Sequence, residues 1–172
     1  KSITIPLGEI KIKYKVNPLK VILRTCTSEL IMDQNKRRIF DKEKSEYTFR
    51  TLRSLIKSIN SASKKFNNIT FNLIVTDTNS SKEDKNEIKE ILKDSLIDSK
   101  FISINLKSFE DKITPGYSKA KFSNMANFYN SLLIAKNDDA DLIYFVEDDY
   151  IHSVDTITEM IFAYEKFNTI FS

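Results

Sequence analysis

Strand-like and helix-like apolar patterns alternate along most of this chain, and the alternation restricts its fold more than any other property. Short apolar runs at 21–26, 69–75, 101–106 and 141–146 have the length and composition of buried strands. Between and after them, apolar residues recur at helical spacing. Phe49, Leu52, Ile56, Ile59 and Phe66 make one stripe, and Ile88, Ile91, Leu92 and Leu96 a second. Phe122, Met125, Tyr129, Leu132 and Leu133 make a third, and Val154, Ile157, Ile161, Tyr164 and Phe167 a fourth. The spacing predicts helices after an N-cap at Ser45, over about 82–98, over about 118–136, and after a cap at Ser153 or Thr156, the latter with Glu159 as a capping box. Strand-helix order repeated four times implies an α/β fold, with a mostly parallel, Rossmann-like sheet and helices on both faces. Residues 3–14 alternate around Pro6 and Gly8, which predicts a short hairpin. The division is then an N-terminal strand or hairpin extension at 1–19 and one domain over 20–172.

Composition narrows the functional classes. A chain of 172 residues with 41% hydrophobic and 30% charged residues has enough apolar mass for one core. The net charge of +3 is too mild to argue for a nucleic-acid partner. One cysteine, Cys26, excludes an internal disulfide framework and a cysteine-only zinc site, and one histidine, His152, excludes a multi-histidine metal site. With only Gly8 and Gly116, neither the dinucleotide fingerprint nor a P-loop is present. No Gly-x-Ser-x-Gly elbow supports a serine hydrolase. No apolar run reaches the roughly 20 residues that span a bilayer. The chain opens at Lys1 and stops soon after Phe167, which reads as a trimmed piece, and its expected place is the cytoplasm or the membrane surface.

In a parallel sheet, ligands sit beyond the carboxyl ends of the strands. Here those ends carry Thr25-Cys26-Thr27, Thr76-Asp77, Asn105-Leu106 and Glu147-Asp148-Asp149. Three adjacent acids behind an apolar strand are either a solvated acidic turn or a concentration of negative charge that a hard divalent cation carrying a phosphate ligand would answer. The basic loop over 27–44, with Lys36-Arg37-Arg38, is either a solvated loop or one that folds over an anion.

The strand ends Arg24-Thr25-Cys26-Thr27, Val75-Thr76-Asp77-Thr78-Asn79-Ser80 and Phe145-Val146-Glu147-Asp148-Asp149 resemble, in that order, the nucleotide-sugar glycosyltransferases of the A-type (GT-A) fold, in particular glycosyltransferase family 2. The resemblance covers about residues 20–168. It implies that Asp77 contacts the base and ribose of a nucleoside-diphosphate sugar, with Thr25, Thr27, Asn79 and Asp148 beside the nucleotide. It implies further that Asp149 and Glu147 bind Mn²⁺ or Mg²⁺, although Glu stands where the family more often has Asp. On the helix before the acidic strand, Lys119, Lys121, Asn124 and Asn127 are candidates for donor contact, and His152 is a candidate ligand or a packed residue. The family's general base lies well downstream of the acidic motif, so it is expected beyond Ser172, and the 172 residues alone are expected to bind a nucleotide sugar weakly or not at all and not to catalyse transfer to the unknown glycan, lipid or protein acceptor. Two other readings are a nucleotidyltransferase on a related sheet, which lacks its glycine-rich loop here, and a non-catalytic domain that keeps the fold for assembly.

Overall fold

The computed structural model describes residues 11–28, 42–113 and 115–171. Strands and helices alternate through them: β1 (Leu19–Thr25), α1 (Lys44–Lys65), β2 (Phe71–Asp77), α2 (Lys82–Leu92), β3 (Asp98–Ser103), α3 (Lys119–Lys136), β4 (Leu142–Val146) and α4 (Thr156–Phe171), with a 3₁₀ turn at Leu106–Phe109. The strands form one sheet in the order β3-β2-β1-β4, every pair parallel. Thr25 lies level with Asp77, and Asp77 with Ser103, so the strand ends expected to carry the site share one edge.

Side-chain alternation divides the sheet between its two layers. Leu19, Val21 and Leu23 of β1, with Phe71, Leu73 and Val75 of β2, enter the main core beside Leu52, Leu55, Ile56 and Ile59 of α1, Ile88 and Ile91 of α2, and Ile157 and Ile161 of α4. The intervening positions turn to the other face, where Thr76 and Arg24 bond to α3. Both faces of β1 are therefore covered, which is why Val21, Ile22 and Leu23 at its centre run apolar without a polar break. A smaller cluster of Phe109, Ile113 and Ala126, joined by Phe122, packs beneath α3.

Several boundaries differ from those the sequence predicts. Glu43, not Ser45, precedes the first turn of α1, and its side chain makes no capping bond. The second helix stops at Leu92, so Leu96 falls in the following turn and is 64% exposed. The third strand begins three residues earlier than expected, because pairing with β2 starts at Asn72 opposite Asp98, and Leu106 belongs to the 3₁₀ turn. Residues 11–17 form no strand, and the rest of the expected hairpin lies outside the described residues, as does the Lys36-Arg37-Arg38 segment.

The two later helices depart further. The buried face of α3 is Ser123, Ala126, Asn127 and Ser131, whereas Met125, Tyr129, Leu132 and Leu133 are exposed. Small and polar residues face the sheet because α3 lies over the hydroxyl-bearing strand ends and bonds to them. In α4 the expected Ile157 and Ile161 are buried, but Val154, Tyr164 and Phe167 are exposed. Glu165 is buried instead, accepting the backbone N–H of Val16 at 2.9 Å and so tying the chain before β1 to α4.

Candidate functional site

The sheet order creates one switch point. From β1 the chain steps to β2 and then β3, with α1 and α2 on one face. It then returns past β1 to β4, with α3 on the other face. At the carboxyl ends of β1 and β4 the connections therefore diverge, and such divergence leaves a crevice for a ligand. Arg24, Cys26, Lys44, Thr48, Asn124 and the acidic triplet meet there.

Glu147 and Asp148, in the turn that follows β4, make their contacts on opposite layers. Glu147 faces the α3 layer, where it accepts from Arg24 Nη2 at 2.5 Å. Arg24 also donates to Asn124 Oδ1 at 3.2 Å and lies 5.1 Å from the centre of the Phe128 ring. The arginine side chain is 13% exposed and the glutamate 60%, so the pair presents a carboxylate anchored from below. Asp148 turns toward α1. Its Oδ2 accepts the Cys26 N–H at 3.3 Å and Thr48 Oγ1 at 3.0 Å, with Lys44 Nζ at 3.8 Å. Burial raises the pKa of this carboxyl, and Lys44 and the two hydrogen bonds offset only part of that shift. Asp149 is exposed and has no hydrogen bond or ion pair among the described residues.

This splitting bears on the expected Mn²⁺ or Mg²⁺. Among the described residues no three His, Cys, Asp or Glu side chains converge as a metal cage. Magnesium-type sites that serve phosphates commonly use one or two carboxylates plus phosphate oxygens. Asp149 fits that pattern, because it is the acid of the triplet whose charge no side chain among the described residues answers. Glu147, the other expected ligand, already has its charge met by Arg24.

The ends of β1 and β2 form a closed polar latch. Thr25 Oγ1 donates to Asp77 Oδ1 at 3.0 Å, and Ser80 Oγ donates to the same oxygen. Asp77 Oδ2 has no hydrogen bond and relies on the Lys85 ammonium 3.5 Å away. The Thr27 N–H donates to Ser80 Oγ at 2.9 Å, and Thr27 Oγ1 to Asp84 Oδ2 at 2.5 Å. From above, the Asn127 amide donates to the Thr25 and Thr76 carbonyls at 3.1 and 3.2 Å and accepts from Thr76 Oγ1 at 2.6 Å. Asn79 takes the left-handed conformation, with φ 59°, that asparagine tolerates better than most residues, and donates to Ser123 Oγ at 2.6 Å.

Of the residues expected to touch a nucleotide, Thr25, Asp77 and Asn127 are thus buried and bonded within the protein, and Thr27 is nearly so. Glu147 and Asp149 remain open to a ligand. His152 packs: its Nε2 lies 3.1 Å from the Tyr144 hydroxyl and its backbone N–H donates to Ser54 Oγ. Arg24 and Lys44 were not singled out as site residues by sequence. For Arg24 the available signal was a charged residue directly after the apolar run Val21-Ile22-Leu23 within a strand, since arginine is seldom buried without a partner. No family model, curated protein or solved structure matches the chain.

Proposed function

We propose that the chain is the donor-binding portion of a metal-dependent glycosyltransferase of the A-type fold, acting on a nucleoside-diphosphate sugar. One observation carries this reading: an acidic triplet stands at the carboxyl end of β4, beside β1 at the switch point, with Asp149 unanswered among the described residues while its two neighbours are held. A bound Mn²⁺ or Mg²⁺ would supply charge neutralisation for the departing diphosphate. Asp149 would hold that cation from the protein side. Glu147, oriented by Arg24, has its second oxygen available to accept from a ligand hydroxyl. Asp148 positions the other two by fastening the turn to α1 and to the end of β1.

The test is calorimetric titration with UDP, GDP and dTDP, with and without Mn²⁺. The expected result is Mn²⁺-dependent binding of one nucleotide, lost in Asp149→Ala. Binding by that variant equal to the parent's, or binding that does not depend on Mn²⁺, would count against the reading. A second reading, a domain kept for assembly, draws on the exposed Phe128, Leu132, Phe145, Phe162 and Phe167. Failure to bind any nucleotide together with concentration-dependent self-association would favour it.

A further inference from the structure

Away from the strand-end crevice, one face of α1 carries Arg53, Lys57, Asn60, Ser61 and Lys64 at helical spacing. With Ile91 and Asp94 at the end of α2, and Val154 before α4, they line a groove of about 620 Å³, a volume typical of binding clefts. Ile56 and Ile91 form its buried floor, and Val154, 41% exposed, is an apolar wall.

Both walls are fixed without an occupant. The Asn60 amide donates to the Asp94 carbonyl at 2.9 Å and accepts the Leu96 N–H at 2.9 Å, holding the end of α2. Ser54 and Ser58 accept the His152 and Ile157 N–H groups at 3.1 Å each, which holds the segment bearing Val154. A preformed groove loses less conformational freedom when it is filled.

Its charge is one-sided. The lining contains Arg53, Lys57, Lys64 and Lys65 against Asp94. Glu87 answers Arg53 at 2.6 Å and Asp155 answers Lys65 at 2.7 Å. Lys57 and Lys64 are exposed and have no acidic partner among the described residues. They stand seven residues apart, about 10 Å along the helix axis. Between them Ser61 leaves room for close approach above the apolar floor.

We propose that this groove docks an acidic amphipathic helix of a partner protein. Glutamates seven residues apart on such a helix match the Lys57–Lys64 spacing, and an apolar side chain midway between them enters toward Ile56, Ile91 and Val154. A flat anionic surface would meet the two lysines but not the recessed floor. The inference does not rest on donor binding.

The probe is a fluorescein-labelled alanine-based helical peptide with two glutamates seven residues apart and a leucine midway. Its control carries lysine in place of glutamate. Anisotropy with the full 172-residue chain should show saturable, salt-sensitive binding of the acidic peptide alone. The double variant K57E/K64E should weaken it by about tenfold or more, and the gentler K57Q/K64Q by several-fold. Asp149→Ala should leave it unchanged, which separates this groove from the crevice. The proposal is overturned by absence of saturable binding, by equal binding to both lysine variants, or by lysine-dependent sedimentation with phosphatidylserine vesicles in place of peptide binding.

Discussion

The β1–β2 side of the sheet edge and the β4 side share one fold but differ in how far they are finished. At β1–β2 every polar group expected to meet a ligand is spoken for: Asp77 by Thr25, Ser80 and Lys85, and Asn127 by Thr25 and Thr76. At β4 the acids splay, Asp149 is unanswered among the described residues, and Phe145 is 38% exposed on the strand itself. The two outer strands differ in the same sense. β3 exposes Asp98 and Lys100, charges that discourage pairing with another strand. Among the described residues β4 pairs only with β1, and its sequence, Leu-Ile-Tyr-Phe-Val, is apolar throughout. The closed side is finished by bonds within the molecule, and the open side leaves Asp149 and Phe145 exposed.

The contrast can be broken first at Asn127. Asn127→Ala leaves the Thr25 and Thr76 carbonyls without their α3 donor in a buried setting, and should lower unfolding free energy by about 3 kcal/mol, read by urea denaturation. A loss below about 1 kcal/mol would mean that the latch is looser than described. Next comes His152, whose pKa burial depresses below the ordinary 6.5, against the smaller upward pull of the Tyr150 carbonyl. Its neutral form stabilises the fold fully above about pH 6.5. That contribution is lost as pH falls through the lowered value, because the unfolded chain takes up the proton first. Urea midpoints at pH 7.5 and 5.5 should therefore differ, and His152→Gln should shrink the difference. On the open side, Glu147→Gln removes the partner of Arg24 and should cost about 1 kcal/mol or less, since the carboxylate is largely solvated. The smallest effect belongs to Asp149→Ala, within about 0.5 kcal/mol of the parent by thermal melting. A large loss there would show that Asp149 helps to hold the fold.

The layered architecture was legible because β1, β2 and α1 are governed by apolar pattern. Leu52, Ile56 and Ile59 fall where periodicity puts them, and strands covered on both faces read as apolar runs. Periodicity failed on α3 because it cannot tell which of two competing faces meets the sheet. The stripe from Met125 to Leu133 looked like core, but the sheet beneath offers carbonyls and hydroxyls, so Asn127 and Ser131 go inward. The site shows the same division. That the acids gather at a sheet edge follows from topology. That Arg24 claims Glu147 depends on a contact between residues 123 apart in sequence, which no local pattern encodes.

The same separation has a temporal side. Thr25 and Asp77, in paired strands, lie 52 residues apart, whereas Arg24 and Glu147, at the ends of the other pair, lie 123 apart. Closing the longer loop costs more entropy, and contacts of high sequence separation form late. During synthesis β1 therefore waits with one edge bare until β4 emerges, while β2 is already beside it. The backbone groups of β1 that later pair with β4 stay open to water or other nascent chains over that interval. The order in which the strands leave the ribosome thus leaves β1 unpaired longest on the edge that β4 finally closes.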